Sequence, residues 1–397
     1  MKIFAQNPEY SAKLDSLINA KDKVPFKIFD KKNAEKLFGK NLNISASQLE
    51  KFNLCRFSYF CNYGLNVRER QRAEINPMQY GTIVHYILER FFGEYTKEEC
   101  LSLEEDKFQK IVCAYLAEYA VKYFGEEQLE SNSFTYRLKT ILDNVMHLMK
   151  HIMEELSQSE FFVADCELKI GEDIPSYTIV LPDGHKIAVC GSVDRVDIMQ
   201  RADITYLRII DYKTGTKQFK LSDILYGINL QMLLYLHSIE ASGGDKYGEI
   251  VPAGILYMPA TVAYISSDSL KSIDKLPDEL NKKLKMNGLL LKDTEIIHGM
   301  DKTDVATYIP VKIKAGEPVS STSLATLAEF GKIFKKVDML IAEMGKNIYN
   351  GNIEAKPLKG GHDSCEYCPY DSVCAYRQSN PITCFSVDNK TVIEEIT

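Results

Sequence analysis

The sequence predicts an α/β fold in which a mixed sheet is flanked by helices. Three observations carry that expectation. Apolar residues recur with a helical period from about residue 45 to 157, the period changes to two from Phe161, and a helical stretch, a further strand and a last long helix follow. The chain has 397 residues, 45% hydrophobic and 26% charged. That is ordinary globular composition with material for a sizeable core.

Residues 1–44 are polar and Lys-rich, and read as a loosely attached lead-in. Ser45 or Ser47 can cap the first helix, with Glu50 three residues after Ser47 as a capping box. That helix carries Leu49, Phe52 and Leu54 and runs to Cys55. Gly81 opens the next helix, whose Ile83, Val84, Ile87, Leu88 and Phe91 form one apolar stripe. Two long helical patterns follow, in what reads as a helical insertion at about 95–157. FFVADCELKI, YTIVL, KIAVCGSVDRVDIM and TYLRIIDYK then read as consecutive strands, with Asp183-Gly184 as a hairpin turn. LSDILYGINLQMLLYLHSI reads as one amphipathic helix beginning near Ser222 or Asp223, and VPAGILYM as a strand. Residues 265–320 are irregular, and a long helix then runs to Gly351. A cysteine cluster closes the domain, here bounded at 45–377, and residues 378–397 form a polar tail.

Forty-eight basic against 55 acidic residues give a net charge of −7. This weighs against a broad non-specific grip on nucleic acid, while leaving room for a local basic channel. The N-terminus has no apolar run of the kind a signal peptide needs, and no stretch of eighteen apolar residues could span a membrane. Ten cysteines without an export signal imply free thiols in a reducing, cytoplasmic compartment. No GxxxxGK[ST] motif is present, which excludes ATP hydrolysis by a P-loop.

In TYLRIIDYK, strand alternation puts Leu207, Ile209, Asp211 and Lys213 on one face. Asp211 can bind a divalent metal, and Lys213 can orient an attacking water and steady charge building on a phosphorus centre. The Tyr212 carbonyl between them is a further oxygen ligand. Asp-x-Lys is a very short pattern, and read alone the pair is better taken as an exposed salt bridge at a strand end. GSVDRVDIM adds Asp194 and Asp197 on the neighbouring arm of a hairpin. A second carboxylate beside Asp211 makes an oxygen-rich pocket suited to Mg²⁺ or Mn²⁺. Asp197 differs from Asp194 in alternation and is better read as an arginine partner. His85, with Glu89 one turn on, lies in an otherwise apolar helix, and imidazole suits Mn²⁺ better than Mg²⁺. Glu167 is an acid in an apolar strand, readable as a site carboxylate or as an edge-strand charge. Gln231 and Tyr235, four apart, share a helix face and can hold a phosphate or a base.

Cys365, Cys368 and Cys374 form a Cys-x2-Cys-x5-Cys cluster. A fourth ligand is needed, for which Cys55 is preferred over Cys61. The spacing accepts zinc or an iron–sulfur centre. Either would join the first helix to the C-terminal segment.

The segments ISASQLEKFNLCRFSYF, GTIVHYILERF, GSVDRVDI, IDYKTG and NLQMLLYL, in that order, resemble the RecB-type nucleases of the PD-(D/E)xK superfamily. CEYCPYDSVC completes the likeness to the iron–sulfur version, as in the nuclease domain of AddB-type helicase–nuclease subunits. The resemblance runs from about Ser45 to Cys374. It implies a PD-(D/E)xK fold and Mg²⁺- or Mn²⁺-dependent DNA cleavage, exonucleolytic on single-stranded ends, beside an AddA-type helicase subunit. It implies His85, Asp194, Asp211 and the Tyr212 carbonyl as metal ligands, with Glu167 as the acid of the first core strand. Lys213 takes the place of the catalytic lysine, and Gln231 and Tyr235 that of the Gln-x3-Tyr motif. Cys55, Cys365, Cys368 and Cys374 take the places of the [4Fe-4S] ligands. The helicase-like part that precedes the domain in such subunits is missing, so the expectation is a piece of a longer subunit or a stand-alone relative. The competing readings are a DNA-binding scaffold with a vestigial site and a zinc-stapled module.

Overall fold

The computed structural model describes residues 27–68, 77–125, 131–215, 218–260, 282–320, 322–374, 376 and 381–396. Residues 1–26 of the expected lead-in, 265–281 of the stretch read as irregular, and 378–380 and 397 of the expected tail lie outside the described residues. Helix α1 (Lys31–Phe38) leads into strand β1 (Asn41–Ile44), then helix α2 (Ala46–Leu54). α2 is capped by Ser45 with Gln48 in a reciprocal box, not by Ser47 with Glu50. Glu50 instead accepts from the Leu230 amide at 2.8 Å. Helix α3 (Pro77–Glu94) starts before Gly81. Helices α4 (Lys97–Ser102), α5 (Glu105–Phe124) and α6 (Asn132–Ser157) fill the span read as an insertion.

Strands β2 (Phe162–Ile170), β3 (Thr178–Val180), β4 (Lys186–Val189), β5 (Gly191–Arg201) and β6 (Ile204–Lys213) follow. Helix α7 (Gln231–Ser242) leads to β7 (Glu249–Pro259) and β8 (Asn287–Leu291). Helix α8 (Thr294–Met300), the hairpin β9 (Lys312–Lys314) and β10 (Glu317–Val319), and strand β11 (Leu324–Ala325) come next. The chain closes with helix α9 (Leu327–Tyr349), strands β12 (Leu358–Gly360) and β13 (Ile382–Cys384), and helix α10 (Asn389–Glu395).

The main sheet has the order β11-β8-β7-β6-β5-β2. It is mixed: β6 and β7 are parallel, and the β2–β5, β5–β6 and β7–β8 pairs are antiparallel. β6 and β7 are buried on both faces over most of their length, as central strands are when helices cover both sides of a sheet. α7 packs against β6 and β7, with α9 behind it, while α3 packs against β2 and β6. β3 and β4 leave the main sheet and form a small one with β1, in the order β1-β4-β3. A tight turn ending at Gly184 joins β3 to β4.

Further sequence expectations change. Residues 282–320, within the stretch read as irregular, carry β8, α8 and the β9–β10 hairpin. The lead-in is not loose over its described part, because β1 pairs with β4 and both Ala34 and Ile44 are fully buried. The tail is not a free polar end, since β13 pairs with β12 and α10 buries Val392 and Ile396. The 221–239 segment is not one helix. It begins as a tight helical turn over Leu221–Tyr226, stops at Gly227 and restarts at Gln231. Gly227 sits at φ 70°, a left-handed conformation, with the Asn53 side chain packed where a Cβ would stand. α7 is buried from Met232 to Ile239, so it is a core helix without a solvent face along that run.

Candidate active site

The site lies at the C-terminal end of β6, where three strands and one helix bring their side chains together. Asp194 on β5 and Asp211 on β6 stand opposite one another just past the last pair of the ladder, Arg195 with Ile210. There the strands part, and the Asp194 carboxylate accepts from the Tyr212 amide at 2.9 Å. Glu167 stands on the edge strand β2, between the pairs Cys166–Arg195 and Leu168–Val193, and so faces Asp194. Its backbone adopts φ 51°, which a non-glycine residue enters rarely. His85 reaches in from α3. Its Nδ1 is 2.9 Å from Glu167 Oε1, and its Nε2 is 3.6 Å from Asp194 Oδ2. Ser192 donates its hydroxyl to the other Glu167 oxygen at 2.8 Å.

Ligand atoms of His85, Glu167 and Asp194 lie within 4.8 Å of one another. Asp211 is buried beside them, and its Oδ2 is 2.5 Å from the Lys213 ammonium, which is the more exposed partner. The electrostatics fit a cation. Burial, then the charge of Asp211, pushes the Asp194 carboxyl up to about 7. Burial disfavours the His85 cation, but the Glu167 hydrogen bond and the Asp194, Glu167 and Asp211 charges outweigh it and raise the imidazole. Burial likewise resists the Glu167 charge, yet hydrogen bonds from His85 and Ser192 hold that carboxyl below its ordinary range. A crowd of acids with one nitrogen donor is a hard, mixed N/O donor set, suited to a divalent ion.

Asp197 is not part of this cluster. It points to the other face of the sheet, where Arg195 and Arg208 both bind it and both reach Glu155 of α6, all four fully buried. Glu89 is exposed and stands apart. Tyr235 is buried, and its hydroxyl packs against Gly191, where a Cβ would lie 2.2 Å away. Gln231 opens α7 half-buried, and no hydrogen bond joins it to the carboxylates among the described residues. Ser192 was missed by the sequence reading. Its signal was its place two residues before Asp194, on the same face of the strand.

Far from these carboxylates in sequence, Cys55, Cys365, Cys368 and Cys374 all line one cavity of about 130 Å³. Cys61 packs next to Cys55 but does not line it. Among the described residues, no three of the four sulfurs lie within 4.8 Å of one another. Thiolates on one tetrahedral zinc would stand roughly 3.8 Å apart.

Residues 43–375 match the family model described as the PD-(D/E)XK nuclease superfamily. The chain belongs to this superfamily. It is also similar to curated relatives, each named as one subunit of an ATP-dependent helicase/deoxyribonuclease. The one from Thermoanaerobacter sp. (strain X514) is 34% identical over 353 residues, covering 86% of this chain and 30% of the relative. The one from Clostridium kluyveri (strain NBRC 12016) is 35% identical over 370 residues, covering 89% and 32%. The one from Ruminiclostridium cellulolyticum is 32% identical over 396 residues, covering 95% and 34%. The chain therefore spans about a third of the length of the relatives it matches. Membership bears out the PD-(D/E)xK fold expected from the motifs. No helix among the described residues is long and apolar enough to cross a membrane.

Proposed function

We propose that the chain is a metal-dependent deoxyribonuclease, acting as an exonuclease on single-stranded DNA ends within a helicase–nuclease of the cytoplasm that serves double-strand-break repair. One observation carries this: His85, Glu167 and Asp194 converge on one point, with Asp211 and Lys213 beside them. An AddA-type helicase subunit is the partner in this reading, which the names of the relatives support.

In this reading His85, Asp194, Asp211 and the Tyr212 carbonyl hold Mg²⁺ or Mn²⁺. When bound, the metal neutralises phosphate charge and acidifies water. Glu167 orients His85 through its hydrogen bond, and Ser192 fixes Glu167. The Tyr212 amide turns Asp194 toward the pocket. Lys213 places a cation where charge grows on the scissile phosphate. Gln231 and Tyr235 border the strand path, Tyr235 with its hydroxyl packed against Gly191 at the start of β5.

The cysteine-lined cavity is the place for a [4Fe-4S] cluster on Cys55, Cys365, Cys368 and Cys374. The observation behind this reading is that all four cysteines line one cavity. The decisive assay is digestion of end-labelled single-stranded DNA with Mg²⁺ or Mn²⁺. Wild-type protein should shorten the strand from its end, and Asp211→Ala should abolish cleavage while its far-UV circular dichroism stays unchanged. Cleavage by Asp211→Ala at the wild-type rate would overturn the site.

A further inference from the structure

A second feature stands at the same end of the sheet. Asp211, Tyr257 and Asn287 lie side by side across β6, β7 and β8. At the ordinary strand spacing, Asn287 is about 10 Å from Asp211. β8 runs against β7, so the residues just before Asn287 lie beyond the Lys213 end of the sheet. A groove of about 580 Å³ opens there, lined by Lys282, Lys285, Lys312, Lys314 and Ser320 among others. Among the described residues it carries no acidic lining side chain, in a chain of net charge −7.

The lysines divide by role. The Lys285 ammonium donates to the carbonyls of Ala306 at 2.6 Å and Val311 at 3.0 Å. It therefore fastens the 306–311 loop to the start of β8 and forms the groove floor. Lys312 and Lys314 follow that loop directly and are exposed on β9. Neither makes an ion pair with any described residue, by contrast with Lys246 or Lys359. Glu317 faces Lys314 across the hairpin, but its carboxylate is taken by the Thr294 hydroxyl at 2.7 Å. Being two apart on a strand, the two lysines share a face with their Cα atoms about 7 Å apart, or two steps of a stacked nucleic-acid strand.

We propose that this groove holds the sugar–phosphate backbone of the nucleic acid a few nucleotides from the scissile phosphate, with Lys312 and Lys314 as the phosphate contacts. This rests on the nuclease reading of the carboxylate site. It explains how an acidic chain grips a polyanion: the positive charge is concentrated along one exit from the site.

The test is the double variant Lys312→Gln/Lys314→Gln, with Lys107→Gln/Lys110→Gln on α5 as a charge-matched control. Binding of a fluorescent oligothymidine is followed by anisotropy in metal-free buffer over a range of salt. Losing two phosphate contacts should lower the salt slope by about 1.4 and weaken binding roughly 10–30-fold near 0.1 M salt. The control should change neither. Cleavage of a dinucleotide, too short to reach the groove, should be unchanged in both variants. An unaltered salt slope in the groove variant, or an equal loss in the control, would overturn the groove. Wild-type protein that binds the oligonucleotide but cleaves neither substrate would overturn the nuclease reading instead, and the slope alone would then judge the groove.

Discussion

Glu167 holds a left-handed backbone in the middle of a strand, which costs on the order of 1 kcal/mol for a non-glycine residue. It is kept there by His85 and Ser192, which bind its two oxygens. Strain of this kind gathers where a side chain must be aimed. Lys213 is aimed by different means: its ammonium lies against Asp211 and near the Tyr257 ring, 5.9 Å from its centroid. Because it acts on charge that grows only as the phosphate reacts, Lys213→Ala should lower turnover roughly 100-fold or more while DNA affinity changes little. Single-turnover kinetics beside anisotropy titration would check this. Equal losses in both would make Lys213 a mere phosphate contact.

At the scale of elements, two charge clusters, one of them fully buried, fasten the frame that holds the site. Arg195, Asp197, Arg208 and Glu155 tie β5 and β6 to α6 with no solvent contact. The Arg195 guanidinium also lies 3.4 Å from the Tyr212 hydroxyl, so the network reaches the strand that carries Asp211. Removing one partner leaves an arginine charge uncompensated, so Asp197→Ala should cost about 3–5 kcal/mol in urea unfolding. A loss below about 1 kcal/mol would mean water reaches the network. The second cluster joins α7 to α9. His237 lies 3.0 Å from Asp338 and stacks on Phe334. Burial resists its charge, but the hydrogen bond to Asp338 and the Glu240 carboxylate 3.7 Å away prevail and raise the imidazole to about 9. A raised pKa stabilises most below the unfolded value of about 6.5, and that stability is lost as pH rises through 9. The melting temperature should therefore fall between pH 6.5 and 9, and His237→Gln should melt lower at pH 6 and show a flatter profile. Parallel profiles for the two proteins would refute the link.

For the whole molecule, the cysteine cavity joins the end of α2 to the segment beyond α9, closing a loop of more than 300 residues. A centre bound there restricts the unfolded chain as well as holding the folded one. Cys368→Ala or Cys55→Ala should give colourless protein without absorbance near 400 nm, a lower melting temperature and weaker DNA binding. Iron retained in Cys55→Ala but lost in Cys61→Ala would exchange the fourth ligand. Iron unaffected by either would confine the centre to the C-terminal segment.

Much of the site was legible because it is local. Strand alternation alone put Asp211 and Lys213 on one face, set Asp194 apart from Asp197, and the hairpin made the two arms neighbours. The lone histidine of an apolar helix face and the cysteine spacing were local signals too. The sequence by itself also determined the mixed α/β class, since periodicity reports which residues must be buried. Tertiary structure alone decided the rest. A strand such as β1, or an end such as β13, is recruited by partners distant in sequence, and no local pattern records such a partner. The break at Gly227 answers to Asn53, and the left-handed Glu167 answers to His85 and Ser192. In each case the cost is local and the compensating contact is far along the chain, so only the folded molecule shows why the residue is there.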